Sequence, residues 1–579
     1  MKELLIYLKD YKKESILGPL FKLVEVVFEL MVPLVVASLI DKGIGNQNQA
    51  YVVKMFFVLV GLGLLGLTAS VTAQYFAAKA ATGFAKKLKH ALFAHIQELS
   101  FAELDEIGTS SLITRMTSDM NQVQSGVNLT LRLLLRSPFV VFGAMAMAFT
   151  IDTKAAWIFV VTIPVLSIVI FGIMIWCIPR YRMVQERLDK VLSLARENLT
   201  GVRVLRAFCK EEEEIANFKN KNEELTSVQK HVGRVSALMN PVTYIIINLA
   251  IAILIWKGAI EVEAGILTQG AVVALYNYMS QILVELIKLA NLILNMTKSI
   301  ACGNRIQSVF EISSSMKEKK ETIKVQKTDY QVEFKNVSFR YKNGGEDAIS
   351  NVSFGIKPGE VVGVIGGTGS GKSSLVNLIP RYYDATQGEV LVDGIDVKEY
   401  PFEQLRSKVA VVLQKAVLFQ GTIRDNLKWG KKDATDEEIF EALILAQAKE
   451  VVEGKEGKLD FVIEQGGKNL SDGQRQRLTI ARALMMEADI LILDDSSSAL
   501  DYATDAALRK ALHNMKKKTT VFMVSQRTSS IQHADHIIVL EDGEMVGYGT
   551  HEELLKDCEV YKEIYYSQFK KEVSSYGKK

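Results

Sequence analysis

Eight consecutive residues, Gly366-Gly367-Thr368-Gly369-Ser370-Gly371-Lys372-Ser373, fit the pattern GxxxxGK[ST]. Glycines let the backbone curl until several N–H groups converge on one anion, and the helix that follows adds its positive N-terminal end. In such a loop Lys372 reaches the β- and γ-phosphates of a nucleotide, and the Ser373 hydroxyl binds Mg²⁺. The same chemistry needs a carboxylate at the end of an apolar strand to hold the metal's water shell. Ile490-Leu491-Ile492-Leu493 followed by Asp494 supplies it. The expected cofactors are therefore ATP and Mg²⁺. Gly366, Thr368, Gly369, Ser370, Gly371, Lys372, Ser373 and Ser374 are expected around the phosphates, with Ser373 and Asp494 at the metal.

These residues must be held by a sheet. From about Tyr330 onward, short β-branched runs alternate with helical segments: Val361 to Ile365, Val409 to Leu413, Ile490 to Leu493 and Thr520 to Val524. That alternation predicts an α/β domain with a largely parallel sheet. Before it, from Ser313 to Glu321, runs a charged, apolar-poor linker.

The first half is of another kind. The chain of 579 residues is 49% hydrophobic and 23% charged, with a net charge of +3, and its apolar residues concentrate before about residue 300. Near balance in charge gives no reason to invoke nucleic acid as a partner. Six apolar stretches are long enough to cross a bilayer core: near Ile16–Ile40, Met55–Ala78, Leu133–Thr150, Ala155–Ile178, Val242–Trp256 and Ala271–Leu294. Lys and Arg crowd the segment before the first stretch and the two long connections, Lys79 to Arg132 and Arg180 to Arg234. The positive-inside rule puts those connections and both termini in the cytoplasm, with no cleavable leader expected. Both connections are helical in pattern, so the spanning helices should continue beyond the bilayer. Each carries a short polar interruption, Glu106 to Ser111 and Asn198 to Arg203. Cys177, Cys209, Cys302 and Cys558 lie far apart, suggesting buried or inert thiols rather than a zinc site or disulfides.

Further motifs, in order, make nearly the whole chain resemble the ATP-binding cassette (ABC) transporter family, as an exporter half-transporter. Tyr341 in Ser338-Phe339-Arg340-Tyr341 is similar to the aromatic residue that stacks on adenine. Gln414 in Val412-Leu413-Gln414 resembles the glutamine that meets Mg²⁺ and the attacking water. Leu470-Ser471-Asp472-Gly473-Gln474 resembles the signature sequence, and Ser498-Ala499-Leu500-Asp501 the D-loop. The resemblance implies a multidomain membrane protein: an all-α six-span domain at 1–311, a linker at 312–329 and a nucleotide-binding domain at 330–579. It also implies two cassettes paired head to tail, each ATP lying between the phosphate loop of one and the signature of the other, so that Ser471, Gly473 and Gln474 of this chain face the nucleotide held by the partner subunit. The interruptions near 105–112 and 198–205 become the expected coupling helices.

Three positions depart from the family pattern. Asp495 stands where a glutamate acts as general base, Gln526 where a switch histidine stands, and Asp472 where the signature has glycine. Asp495 is one methylene shorter than glutamate, a misplacement of about 1 Å that can cost roughly 10²-fold in rate. Gln526 hydrogen-bonds phosphate but carries no positive charge. The expectation is a site that binds ATP well and hydrolyses it poorly, in a chain that pairs with a different half-transporter supplying the better carboxylate. A slow homodimer, an importer on the same scaffold and an ATP-driven switch without transport are the competing readings.

Ionisable groups inside spans also invite function. Glu25 and Glu29 repeat at i and i+4 in the first, and Arg132 and Arg136 do so near the third. They are read either as a charged cavity wall or as a structural pairing. Asn248, Gln281, Asn291 and Asn295 fit interhelical hydrogen bonds. The resemblance favours amphipathic small molecules, drugs or lipids, as cargo in the cell membrane.

Overall fold

The computed structural model describes residues 3–319, 321–323, 328–342, 344–515 and 517–569. Among them, six helical stretches are long and apolar enough to cross a membrane: Glu3–Ile44, Gln49–Glu98, Thr109–Ile151, Thr153–Thr200, Glu211–Glu263 and Gln269–Phe310. Each contains one of the expected apolar runs. The helix Gln49–Glu98 has 50 residues, about 75 Å at the α-helical rise, against a hydrocarbon core of about 30 Å. About half or more of its length therefore exceeds what the hydrocarbon core can cover. Its buried face is a stripe of Ala69, Ala73, Ala77, Ala80 and Ala81, which lets Gly18 of the first helix approach so closely that a Cβ there would stand 3.3 Å from the Ala77 nitrogen.

The chain divides into two compact units. Met1–Gln97 with Thr109–Ile312 form the first; Glu98–Gly108 with Ser313–Lys579 form the second. The short helix Phe101–Ile107, which interrupts the membrane-half sequence, thus folds with the second unit. Residues 320 and 324–327 of the expected linker lie outside the described residues. In the first unit, Val26, Ala144, Phe159, Leu166, Tyr278 and Ile282 are among the core, and the Tyr278 hydroxyl donates to the Leu30 carbonyl at 2.5 Å.

The second unit holds a six-stranded sheet ordered Glu544–Gly549, His536–Glu541, Val361–Gly366, Thr520–Val524, Ile490–Asp494 and Val409–Val412. All neighbours are parallel except the first pair. Val361–Gly366 and Ile490–Asp494 flank Thr520–Val524, with Val521 paired to both Val361 and Leu491. Their burial on both faces is why these strands read as continuous β-branched runs rather than alternating ones. Parallel strands deliver their C-terminal ends, Gly366, Asp494 and Val524, to one edge, where ligands of open α/β sheets bind. A second, antiparallel sheet pairs Val332–Phe339 with Ile349–Ile356 and Gln387–Val392.

Of the cysteines, Cys177, Cys302 and Cys558 are buried and all four are unpaired. Cys209 is exposed, just past the short helix Val202–Ala207.

Candidate active site

Between Gly366 and the helix Lys372–Asn377 the chain turns through two left-handed residues, Gly369 at φ +87° and Gly371 at φ +91°. A side chain at Gly371 would also collide with the Ala348 carbonyl at 2.3 Å, whereas Gly367 and Gly369 face open space. This leaves an open backbone cradle ending at a helix N-terminus, the arrangement that accepts phosphate. Thr368 is exposed on its rim and Ser370 buried beneath it. The Lys372 ammonium lies across the loop, donating to the carbonyls of Gly366 at 3.0 Å and Gly367 at 2.5 Å. Burial holds its pKa below the usual lysine range, against the upward pull of Asp495 and Asp494.

At the neighbouring strand end, Ser373 Oγ donates to Asp494 Oδ1 at 2.9 Å. Asp494 is 5% exposed and Ser373 gives its only side-chain hydrogen bond among the described residues. Burial raises its carboxyl above the ordinary range, and the Asp495 charge adds to this. A buried carboxylate so sparsely satisfied, beside a hydroxyl and an open phosphate cradle, fits a hydrated Mg²⁺ carried by ATP. Asp495 follows at φ +44°, a left-handed conformation that aspartate tolerates better than most residues. Gln414 Nε2 approaches Asp495 Oδ2 at 3.4 Å. Burial raises the Asp495 pKa too, while the Gln414 hydrogen bond opposes this. The third strand end delivers Gln526, whose side chain is exposed. Lys372, Ser373, Gln414, Asp494, Asp495 and Gln526 thus converge on one edge of one sheet.

Tyr341 closes the other end. Its hydroxyl lies 2.9 Å from Ser374 Oγ, and its ring meets Tyr383 edge-on at 5.3 Å. Tyr383 in turn donates to Asp105 Oδ2 at 2.6 Å. The Phe101 ring lies tilted against Tyr382 at 4.8 Å, and Lys342 pairs with Glu106 at 2.6 Å. The helix Phe101–Ile107, capped by Ser100 and Glu103, therefore sits one aromatic ring away from Tyr341. A cavity of about 400 Å³ lies among these residues.

Ser471, Gly473 and Gln474 are placed elsewhere. Ser471 caps the helix Asp472–Leu484, its Oγ accepting from the Gln474 N–H at 3.3 Å while Gln474 accepts from Ser471 at 3.2 Å. No hydrogen bond among the described residues joins them to the phosphate loop. Asp472 is exposed and turned along its own helix to Arg475.

Residues 15–286 match the ABC transporter transmembrane region family, and residues 349–498 match the ABC transporter family. The chain is 36% identical over 574 residues to the uncharacterized ABC transporter ATP-binding protein YfiB of Bacillus subtilis (strain 168), covering 99% of this chain and 100% of that protein. The chain belongs to the ABC transporters, as an exporter half-transporter. The half-transporter is also 33% identical to the ATP-dependent lipid A-core flippase of Desulfotalea psychrophila (strain LSv54 / DSM 12343), over 82% of this chain and 83% of that one. It is 32% identical to the putative multidrug export ATP-binding/permease protein YgaD of Bacillus subtilis (strain 168), over 98% of each. Its fold is shared with a bacterial Atm1-family ABC exporter with ATP bound, at TM-score 0.78 and 20% identity, covering 97% of this chain and 98% of that one. It is a multi-pass membrane protein and an ATP-hydrolysing exporter subunit.

In the membrane half of this half-transporter, the charged residues singled out from sequence are largely paired. Arg136, 8% exposed, reaches Glu29 at 2.7 Å with one arm and Glu285 with the other. Glu285, 3% exposed, also accepts from Ser137 at 3.1 Å and Lys288 at 2.8 Å. Glu25 pairs with Lys22 at 2.5 Å. Arg132 Nε and Gln281 Oε1 are buried without hydrogen-bond partners among the described residues. Asn295 donates to the Asn291 carbonyl one turn back rather than across helices. Sequence reasoning missed Glu285, Tyr383 and Gln568. Glu285 sits in an apolar run within the sixth span, a signal that could have found it.

Proposed function

We propose that this half-transporter exports amphipathic small molecules, drugs or lipids, across the cell membrane as one half of a heterodimer whose own ATP site hydrolyses poorly. The observation that carries the reading is that Asp495 and Gln526, two of the three departures from the family pattern, extend from adjacent strand ends onto one edge beside Lys372 and Asp494. Two weakened groups acting on the same step leave that site able to hold a nucleotide and slow to cleave it.

In this reading Tyr341 stacks on the base. Gly366 to Ser374 wrap the phosphates, with Lys372 neutralising them, and Ser373, Gln414 and Asp494 hold Mg²⁺. Bound Mg²⁺ supplies charge neutralisation at the γ-phosphate. Ser471, Gly473 and Gln474 serve the nucleotide of the partner subunit, and Asp472 is kept from that nucleotide by Arg475. The termini, the nucleotide-binding domain and the interruptions near 105–112 and 198–205 are cytoplasmic, by the distribution of Lys and Arg. The exposed Leu199, Val204 and Phe208 suit a second coupling element that is covered only in the pair. Cargo of the drug or lipid class agrees with the names of two relatives.

Purification of the chain alone, followed by an ATPase assay, tests the pairing. Little turnover alone, restored by a second half-transporter with glutamate and histidine at the matching positions, is the expected result. Robust turnover without a second subunit would favour the homodimer. Uptake of a fluorescent amphipath into vesicles bearing the complex, with and without ATP, separates transport from a nucleotide-driven switch.

A further inference from the structure

The helix Glu559–Gln568 ends on the segment that carries Gln526. The Gln568 carboxamide uses both of its ends there. Nε2 donates to the Gln526 carbonyl at 2.7 Å. Oε1 accepts from the Thr528 N–H and from Thr528 Oγ1, each at 2.9 Å. Thr528 is wholly buried, so one side of this bracket is fixed in the core.

The root of the helix is fixed as well. Tyr561 is fully buried in a cluster with Ile365, Ile531, Val539 and Leu554, and its hydroxyl lies 2.7 Å from His551 Nδ1. Ile365 is the residue before Gly366, so the helix is seated on the strand that becomes the phosphate loop while its tip holds the switch segment. The Gln526 side chain is exposed and makes no hydrogen bond of its own among the described residues; only its backbone sets where it points. That backbone is fixed upstream by the strand ending at Val524, which pairs with Asp494, and downstream by Gln568.

Gln568 is itself exposed. An exposed side chain with three hydrogen bonds adds little packing, and surface hydrogen bonds contribute modestly to net stability. Their effect is directional. We propose that Gln568 is a positioning residue for the hydrolytic step, aiming Gln526 at the nucleotide held by the phosphate loop of the same chain. This rests on the reading that Gln526 serves that nucleotide.

The test uses the full chain in its assembled complex, comparing Gln568→Ala and Gln568→Glu. Glutamate keeps the length and both acceptor contacts to Thr528, but turns an oxygen toward the Gln526 carbonyl. Both variants are expected to keep MgATP affinity within about twofold, because Tyr341 and the phosphate loop are untouched. Both should lose about tenfold in single-turnover ATP cleavage at this chain's site, as for a misplacement of less than 1 Å. Cleavage by Gln568→Glu at the parent rate overturns the proposal, as does a loss of affinity matching the loss of rate. If Gln568→Ala does not assemble, Gln568→Glu carries the test; failure of both to assemble makes the residue structural and overturns it too. Lys372→Ala, run alongside, separates the two ideas: unchanged MgATP affinity there sinks the nucleotide reading and not the bracket.

Discussion

The Tyr383 hydroxyl donates to the Asp105 carboxylate at 2.6 Å, so the helix Phe101–Ile107 is hydrogen-bonded to a residue whose ring touches Tyr341. Burial and the Asp105 charge together hold the Tyr383 phenol well above its usual range, keeping it a donor throughout the physiological range. The nearby Lys342–Glu106 pair has both side chains about half exposed, so solvent screens it and it adds little. Tyr383 and Phe101 therefore carry the attachment.

Tyr383→Phe is expected to weaken this attachment by roughly 1 kcal/mol. Basal ATPase activity should stay near the parent's while ATP-driven vesicle uptake falls severalfold. Equal losses in both assays would show that the contact does not couple them.

Asp495→Glu combined with Gln526→His should raise hydrolysis at this chain's own site by up to about 10²-fold. Position 495 has a left-handed backbone, which glutamate accepts less readily, at a cost on the order of 1 kcal/mol. A slightly lower melting temperature should accompany the faster single-turnover cleavage.

Asp495→Asn should stabilise the nucleotide-free protein at neutral pH. Folding raises the Asp494 and Asp495 pKa values above their unfolded ones, so their effect on stability is most favourable below the unfolded value and is lost as pH rises through the folded one. The gain from Asp495→Asn should thus appear at neutral pH and vanish once both carboxyls are protonated. Melting curves at several pH values measure it.

Arg136→Ala leaves Glu285, 3% exposed, with Ser137 and a half-exposed Lys288, and should cost about 3–5 kcal/mol. Glu29→Gln should cost less than about 1 kcal/mol, because Glu29 is 38% exposed and Arg136 keeps Glu285. Thermal denaturation of the purified variants would rank them; equal losses would contradict this partition.

Elements with a local pattern were legible in the amino-acid sequence. The phosphate loop is eight adjacent residues, each apolar run announces its own span, and Asp494 ends its strand visibly. The relationships that aim these parts were not. Tyr383 and Asp105 are 278 residues apart, Arg136 and Glu285 are 149 apart, and Gln526 and Gln568 are 42 apart. Hydrogen bonds between such distant partners leave no periodicity to read. The i, i+4 spacing of Glu25 and Glu29 suggested one shared face, yet Glu25 turns to Lys22 and Glu29 to Arg136. For the same reason Glu98–Gly108 reads as membrane-half sequence although it folds with the second unit; composition follows the chain, and packing does not.

Cys209 gives this protein a native attachment point for a spectroscopic probe. Because the other three thiols are shielded, a maleimide dye or spin label added to the unmodified chain should react first at the tip of the connection between the fourth and fifth spans. Motion of that tip through the nucleotide cycle can be followed without engineering a cysteine-free background.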